Sequence, residues 1–351
     1  MTRAWLTLVA LIGLMVSACA GAPAATGAST PAAQAPAAAS AAAVGSSAGP
    51  GSPAVAKAVA SAALAPTGNA VAISLGETTT VSGSGARVVG STVTITAPGT
   101  YRLSGTLADG QVVVNVNDKA TVTLILNGVD ITCTTSAPIY VMSAKAAVLV
   151  LADGTENRVT DGESYELADP AADEPNAAIF SKGDLTITGN GALTVNANHN
   201  DGIASKDELQ ITGGRITVNA VGDGIRGRDF IAVKDGSVTV NAQGDGLKAT
   251  NDEDPEKGFV ALTGGTLNVS AGRDGVQAET SVLVGGGNIA ITSGGGSANS
   301  SSNVGGEGNT WGHWGGATTT ASSSADKPSA KGIKALVDLT IEGGTVTVDS
   351  S

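Results

Sequence analysis

Four segments of this chain repeat one another, and that repetition limits its fold more than any other feature. Asp201-Gly-Ile-Ala-Ser-Lys206 precedes Leu209-Gln-Ile-Thr-Gly-Gly-Arg-Ile-Thr-Val-Asn219, and Asp223-Gly-Ile-Arg-Gly-Arg228 precedes a matching run from Ile231 to Asn241. Asp245-Gly-Leu-Lys-Ala-Thr250 and Asp274-Gly-Val-Gln-Ala-Glu279 open two more copies. The first three Asp-Gly pairs lie 22 residues apart, and the next gap of 29 is explained by a polar insert at 251–257. Degenerate copies begin at Ala178 and, after a long insertion, at Lys331. A period near 22, with short alternating strands and Gly at the corners, specifies an all-β solenoid whose copies bury a core only by stacking. A leucine-rich repeat needs a Leu/Asn consensus and a helical side, and a propeller blade needs about twice the length. Composition agrees: 49 of 351 residues are Gly, while Phe, Trp and Tyr number three each. Thin coils take Val, Ile, Leu and Ala where large rings do not fit. Residues 71–351 should make about ten or eleven coils.

Other segments are not fold. Arg3, the apolar run Ala4–Val16 and Val16-Ser-Ala-Cys19 read as a signal peptide (residues 1–19). The last four resemble a bacterial lipobox, which implies cleavage before Cys19 and lipid on its sulfur. From 20 to 70 the chain is largely Ala, Pro, Gly, Ser and Thr, a composition that cannot offset its ordering entropy and reads as a disordered tether. The product is then extracytoplasmic and membrane-anchored. With Cys19 acylated, Cys133 is left as a small buried apolar residue. A net charge of −12 argues against a nucleic-acid partner, and a monomer is expected.

Stacked in register, Asp201, Asp223, Asp245 and Asp274 form a column with carboxylates about 4.8 Å apart. Neighbours at that distance repel by about 3.5 kcal/mol at an effective dielectric near 20. A divalent cation, calcium outside the cell, would relieve this, with Asp252 and Asp254 of the insert adding acids beside the column. The alternative is that each Asp accepts backbone N–H bonds at its Asp-Gly turn, with Arg226 and Lys248 neutralising the charge. Asn196, Asn219, Asn241 and Asn268 read as a second, structural column sharing amide hydrogen bonds. The insertion at 293–330 holds Trp311 and Trp314, rings suited to stacking on sugars or to capping the coil edge. His199 and His313 are too isolated for a metal site. No catalytic motif is present; a lyase route would need a calcium-bound uronate and Arg226, Lys248 or Lys206 as base.

Gly99-Thr-Tyr-Arg-Leu-Ser-Gly-Thr-Leu107, Leu124-Ile-Leu-Asn-Gly-Val-Asp-Ile131, Gly154-Thr-Glu-Asn157 and the Asp-Gly coils resemble bacterial carbohydrate-binding domain proteins. These are a calcium-containing, cellulose- and pectin-binding family with the right-handed parallel β-helix of polysaccharide lyases. The resemblance covers about residues 71–351. It implies polysaccharide binding and calcium without strong lyase activity, and of the motif's site residues Asp201, Asp223, Asp245 and Asp274 match. Trp311, Trp314, Arg226 and Lys248 are the candidate glycan contacts. Lys331 stands where the motif has Asp. The last residues, Thr347-Val-Asp-Ser-Ser351, align two residues short of the next Asp-Gly, so truncation after Ser351 is expected. The rival readings are a weak calcium-dependent pectate-type lyase and an adhesive surface repeat protein.

Overall fold

Alternation decides the strands. In Glu208–Ala220, Ile216 and Val218 point inward while Thr217 and Asn219 face out, the period of a half-buried strand. The computed structural model describes residues 69–116, 120–167, 169, 172–297 and 330–351. Its regular elements are all β-strands, arranged in one sixteen-stranded and one ten-stranded sheet.

Each repeat crosses the small sheet once and the large sheet twice. One copy runs through Asp201–Ser205, then both halves of Glu208–Ala220; the next runs through Ile225–Gly227, then both halves of Phe230–Ala242. Successive copies pair in parallel and in register. Ile203, Ile225, Leu247, Val276 and Ile333 form one inward column. Leu209, Ile231, Val260, Val282 and Leu339 form a second, and Leu193, Ile216, Val238, Leu267, Ile289 and Val346 a third. Most of these side chains join one continuous aliphatic core. The long strands serve two ladders: Thr121–Cys133 pairs with Ala146–Leu151 through its first half and with Glu156–Asp161 through its second. Glu208–Ala220 does the same with Asp184–Gly189 and Ala192–Ala197, so these six strands pair in a ring.

Two glycines show what the corners demand. Gly236 turns the long strand with φ of 97°, where an L side chain is strained. Gly224 needs no unusual φ, but a Cβ there would lie 2.2 Å from Val240 Cγ1 and 2.7 Å from the Gly246 carbonyl oxygen. The Gly of each Asp-Gly pair therefore lets adjacent coils approach.

The coil count holds, and two other expectations need correction. The large sheet carries ten successive parallel rungs among the described residues, from Val71–Leu75 to Asp338–Ile341, within the ten or eleven coils expected, and the parallel ladder of the small sheet runs through nine strands, from Thr92–Ile95 to Ile333–Ala335. The chain ahead of it forms antiparallel pairs, Val71–Leu75 with Thr80–Ser82 and Ala86–Val89 with Thr92–Ile95. Asn268 is not in the asparagine column: it pairs with Thr239, and Ser270 faces Asn241. The core does admit one ring, Tyr101, whose hydroxyl donates to the Ala97 and Gly85 carbonyls at 2.8 and 3.0 Å. Phe180 and Tyr140, and the stacked pair Phe230 and Phe259, form clusters apart from the main core. Cys133 is free and buried.

Candidate functional site

Asp201, Asp223, Asp245 and Asp274 do form one column, where the chain enters successive small-sheet strands. All four are buried, between 2% and 8% exposed. The Oδ1 of each accepts the backbone N–H one repeat on: Asp223 N to Asp201 at 2.9 Å, Asp245 N to Asp223 at 2.8 Å, Asp274 N to Asp245 at 2.9 Å and Lys331 N to Asp274 at 2.8 Å. The Oδ2 atoms meet cations. Arg226 Nη1 lies 3.2 Å from Asp201, Lys248 Nζ 2.6 Å from Asp245 and 3.6 Å from Asp223, and Lys334 Nζ 3.5 Å from Asp274. Burial, and then the charge of Asp223, raise the Asp201 pKa against its hydrogen bonds from Asp223 and Arg226. Burial works to lower the Lys248 pKa, but the hydrogen bond to Asp245 and the charges of Asp223 and Asp245 raise it overall.

These cations belong to two rows on the outer face of the small sheet. Arg226, Lys248, Gln277 and Lys334 pair directly across neighbouring strands. Lys182, Lys206 and Arg228 each follow a paired position (Ser181, Ser205, Gly227) and form the second row. The Lys and Arg side chains are 22% to 48% exposed, so their N–H donors reach solvent while the column aspartates beneath the first row do not. In a chain of net charge −12, six cations are thus gathered on one face. Loop acids meet the second row: Glu174 bridges Lys182 and Lys206, and Glu253 Oε2 lies 2.6 Å from Arg228 Nη2. A cavity of about 80 Å³ opens here, lined by Glu174, Phe180, Ser205, Lys206, Arg226 and Arg228 among others.

The column does not fit calcium. Each Oδ1 is taken by a backbone N–H, the Oδ2 atoms face ammonium or guanidinium groups, and no cluster of three metal-ligating side chains occurs among the described residues. Nor do Asp252 and Asp254 stand beside it. Their insert follows Leu247–Ala249, whereas Asp245 precedes that strand, and it is tied to the far corner by Arg228–Glu253 and by Lys257–Asp229 at 2.8 Å. Asp254 Oδ1 accepts the Glu256 N–H at 3.0 Å, and Asp252 is exposed. The asparagines behave as expected up to Asn241: Asn219 Nδ2 donates to Asn196 Oδ1 at 3.0 Å, and Asn241 Nδ2 to Asn219 Oδ1 at 2.9 Å. His199, set aside above as a metal ligand, has ring partners of its own. It stacks on Tyr165, whose hydroxyl donates to buried Asp161 at 2.7 Å. Cys19, Trp311, His313 and Trp314 lie outside the described residues.

The family model for carbohydrate-binding domain-containing proteins matches residues 89–351. The chain belongs to that family. A carbohydrate-binding domain-containing protein of Acetivibrio thermocellus is 53% identical over 128 residues, covering 36% of this chain and 45% of the relative. The match thus spans less than half of the relative's length. A solved structure, a polysaccharide lyase-like protein from C. thermocellum in a gadolinium derivative, superposes with a TM-score of 0.67 at 35% identity. It covers 79% of this chain and all of that one.

Sequence reasoning singled out Arg226, Lys248 and Lys206 but not Lys182, Arg228 and Lys334, which stand in the same two rows. The signal was available: they occupy repeated offsets after the strand core, as do Arg226 and Lys248. Glu174 carries no repeat signal, since it precedes a strand whose upstream loop has no counterpart in the later copies.

Proposed function

We propose that this chain is an extracytoplasmic, lipid-anchored protein that binds polysaccharide of the pectin or cellulose class without cleaving it, on a right-handed parallel β-helix. The observation that carries the reading is the pair of cation rows repeating at strand spacing, one over buried aspartates and one met by loop acids. Donors fixed in this way suit a linear polymer of hydroxyls and carboxylates, and charge-assisted hydrogen bonds are the strong kind. The buried aspartates hold Arg226, Lys248 and Lys334 in place, so little of their side-chain entropy is left to lose on binding. Family membership supports a glycan ligand, and Arg3, the apolar run and Val16-Ser-Ala-Cys19 support the anchor and the location. The lyase alternative needs a deprotonated base. Lys248 is held protonated by two aspartates, Arg226 does not deprotonate in proteins, and Lys206 is tied to Glu174. No step here depends on calcium.

Affinity electrophoresis and calorimetry against polygalacturonate, cellulose and xylan test the reading, with ultraviolet absorbance of unsaturated product as a second channel. Binding without new absorbance is expected. Lys206→Gln with Arg228→Gln should weaken binding about tenfold, the loss of roughly one charge-assisted hydrogen bond. Absorbance that grows with time would establish the lyase, and failure to bind all three polymers would leave the adhesive repeat protein.

A further inference from the structure

Glu174 differs from every carboxylate of the Asp column. Column aspartates are buried and also accept a backbone N–H, whereas Glu174 is 19% exposed and its partners are side chains. Its Oε1 lies 2.5 Å from Lys206 Nζ and its Oε2 3.4 Å from Lys182 Nζ. One carboxylate thus spans two ammonium groups that follow paired positions on neighbouring strands, Ala177–Ser181 and Asp201–Ser205. A sugar carboxylate lying across the same strands would make the same contacts. The cavity lined by Lys206, Arg226 and Arg228 adjoins Glu174, so an incoming anion meets two further cations, Arg226 and Arg228, before Glu174 has to leave.

We infer that Lys182 and Lys206 form a carboxylate-binding subsite that Glu174 occupies in the free protein and that a uronate of the bound glycan takes over. The inference rests on the glycan-binding reading. Burial raises the Glu174 pKa, but the hydrogen bonds and charges of Lys206 and Lys182 bring it below the ordinary value, so at neutral pH it competes as an anion. Displacement costs little because partly exposed ion pairs are weak. Glu174 then competes with charged polymers alone: a uronate has to displace it from the two ammonium groups, and a neutral sugar does not call on them.

Calorimetry of the wild type and Glu174→Gln with galacturonate oligomers and with neutral cello-oligomers tests this. Gln at 174 should tighten the galacturonate affinity about two- to fivefold, the worth of a partly exposed ion pair, and leave the neutral arm unchanged. In the wild type, saturating galacturonate oligomer should speed amide hydrogen exchange at 172–176. Wild-type galacturonate binding that Glu174→Gln leaves equal or weaker, or exchange that does not change, overturns the inference while the glycan reading stands. Failure of both proteins to bind either oligomer overturns the reading and the inference together. Should the variant fail to fold, the exchange measurement on the wild type decides alone.

Discussion

At the scale of single residues, the Asp-Gly pair does two jobs that its sequence merges into one motif. The Asp closes hydrogen bonds between repeats, and the Gly lets the repeats come close enough to make them. Asp245→Ala removes the acceptor of the Asp274 N–H and leaves Lys248 with only Asp223, so a loss of about 3 kcal/mol is expected in urea unfolding. Asp245→Asn keeps an acceptor oxygen and should lose about half of that. Gly224→Ala should cost at least as much as Asp245→Asn. Shaving Val240 to Ala should not rescue it, because the Gly246 carbonyl still blocks the new methyl. Two carboxyls respond to acid with opposite sign. The lowered Glu174 pKa means its contribution is present above the ordinary value of 4.5 and is lost as pH falls through the folded value below it. The raised Asp201 pKa means its contribution is full below 3.8 and is lost as pH rises through the folded value. Melting curves against pH should show the stability gap between wild type and Glu174→Gln closing below pH 4.5, and a gap that stays constant would refute the sign.

At the scale of elements, the rows and columns are products of register. Parallel pairing carries one offset through successive strands, so a residue type repeated every 22 positions becomes a ladder, and an interruption becomes a gap in it. Gln277 is such a gap between Lys248 and Lys334. Gln277→Lys should complete the row and tighten polygalacturonate binding about two- to fivefold, measured by calorimetry; a weaker affinity would argue that the glycan does not follow this row. Asn219 both donates to Asn196 and accepts from Asn241, so Asn219→Ala should lose about 1–2 kcal/mol, whereas Asn268→Ala, outside the ladder, should lose little. That contrast shows where reading by period stops. Asn268 sits near the expected offset, but register places it beside Thr239, because a one- or two-residue phase shift is invisible without the pairing.

At the scale of the whole molecule, the stack is held by aliphatic rungs and by an internal ion-pair column. Because Lys and Arg already neutralise the aspartates, excess chelator should leave the thermal midpoint of the protein unchanged. A drop reversed by calcium would show that a metal holds the fold from a site other than this column. Among the described residues no helix is long and apolar enough to cross a membrane. Each repeat touches mainly its neighbours, and such stacks have stabilities close to a sum of repeat and interface contributions.

The amino-acid sequence by itself determined the all-β class, the 22-residue phase, the aliphatic interior and the gathering of four aspartates into one column. All of these follow from local alternation and from a period that the chain states outright. Only the tertiary structure decided what those aspartates do. A carboxylate's partner is set by which N–H and which ammonium group lie within about 3 Å, and these come from the next repeat or from a loop with no repeat of its own. The same is true of Glu174 on Lys182 and Lys206, and of the 251–257 insert, which adjoins Asp245 in the chain but packs at the opposite end of its strand. Period fixes phase along the chain; long-range packing chooses the partners.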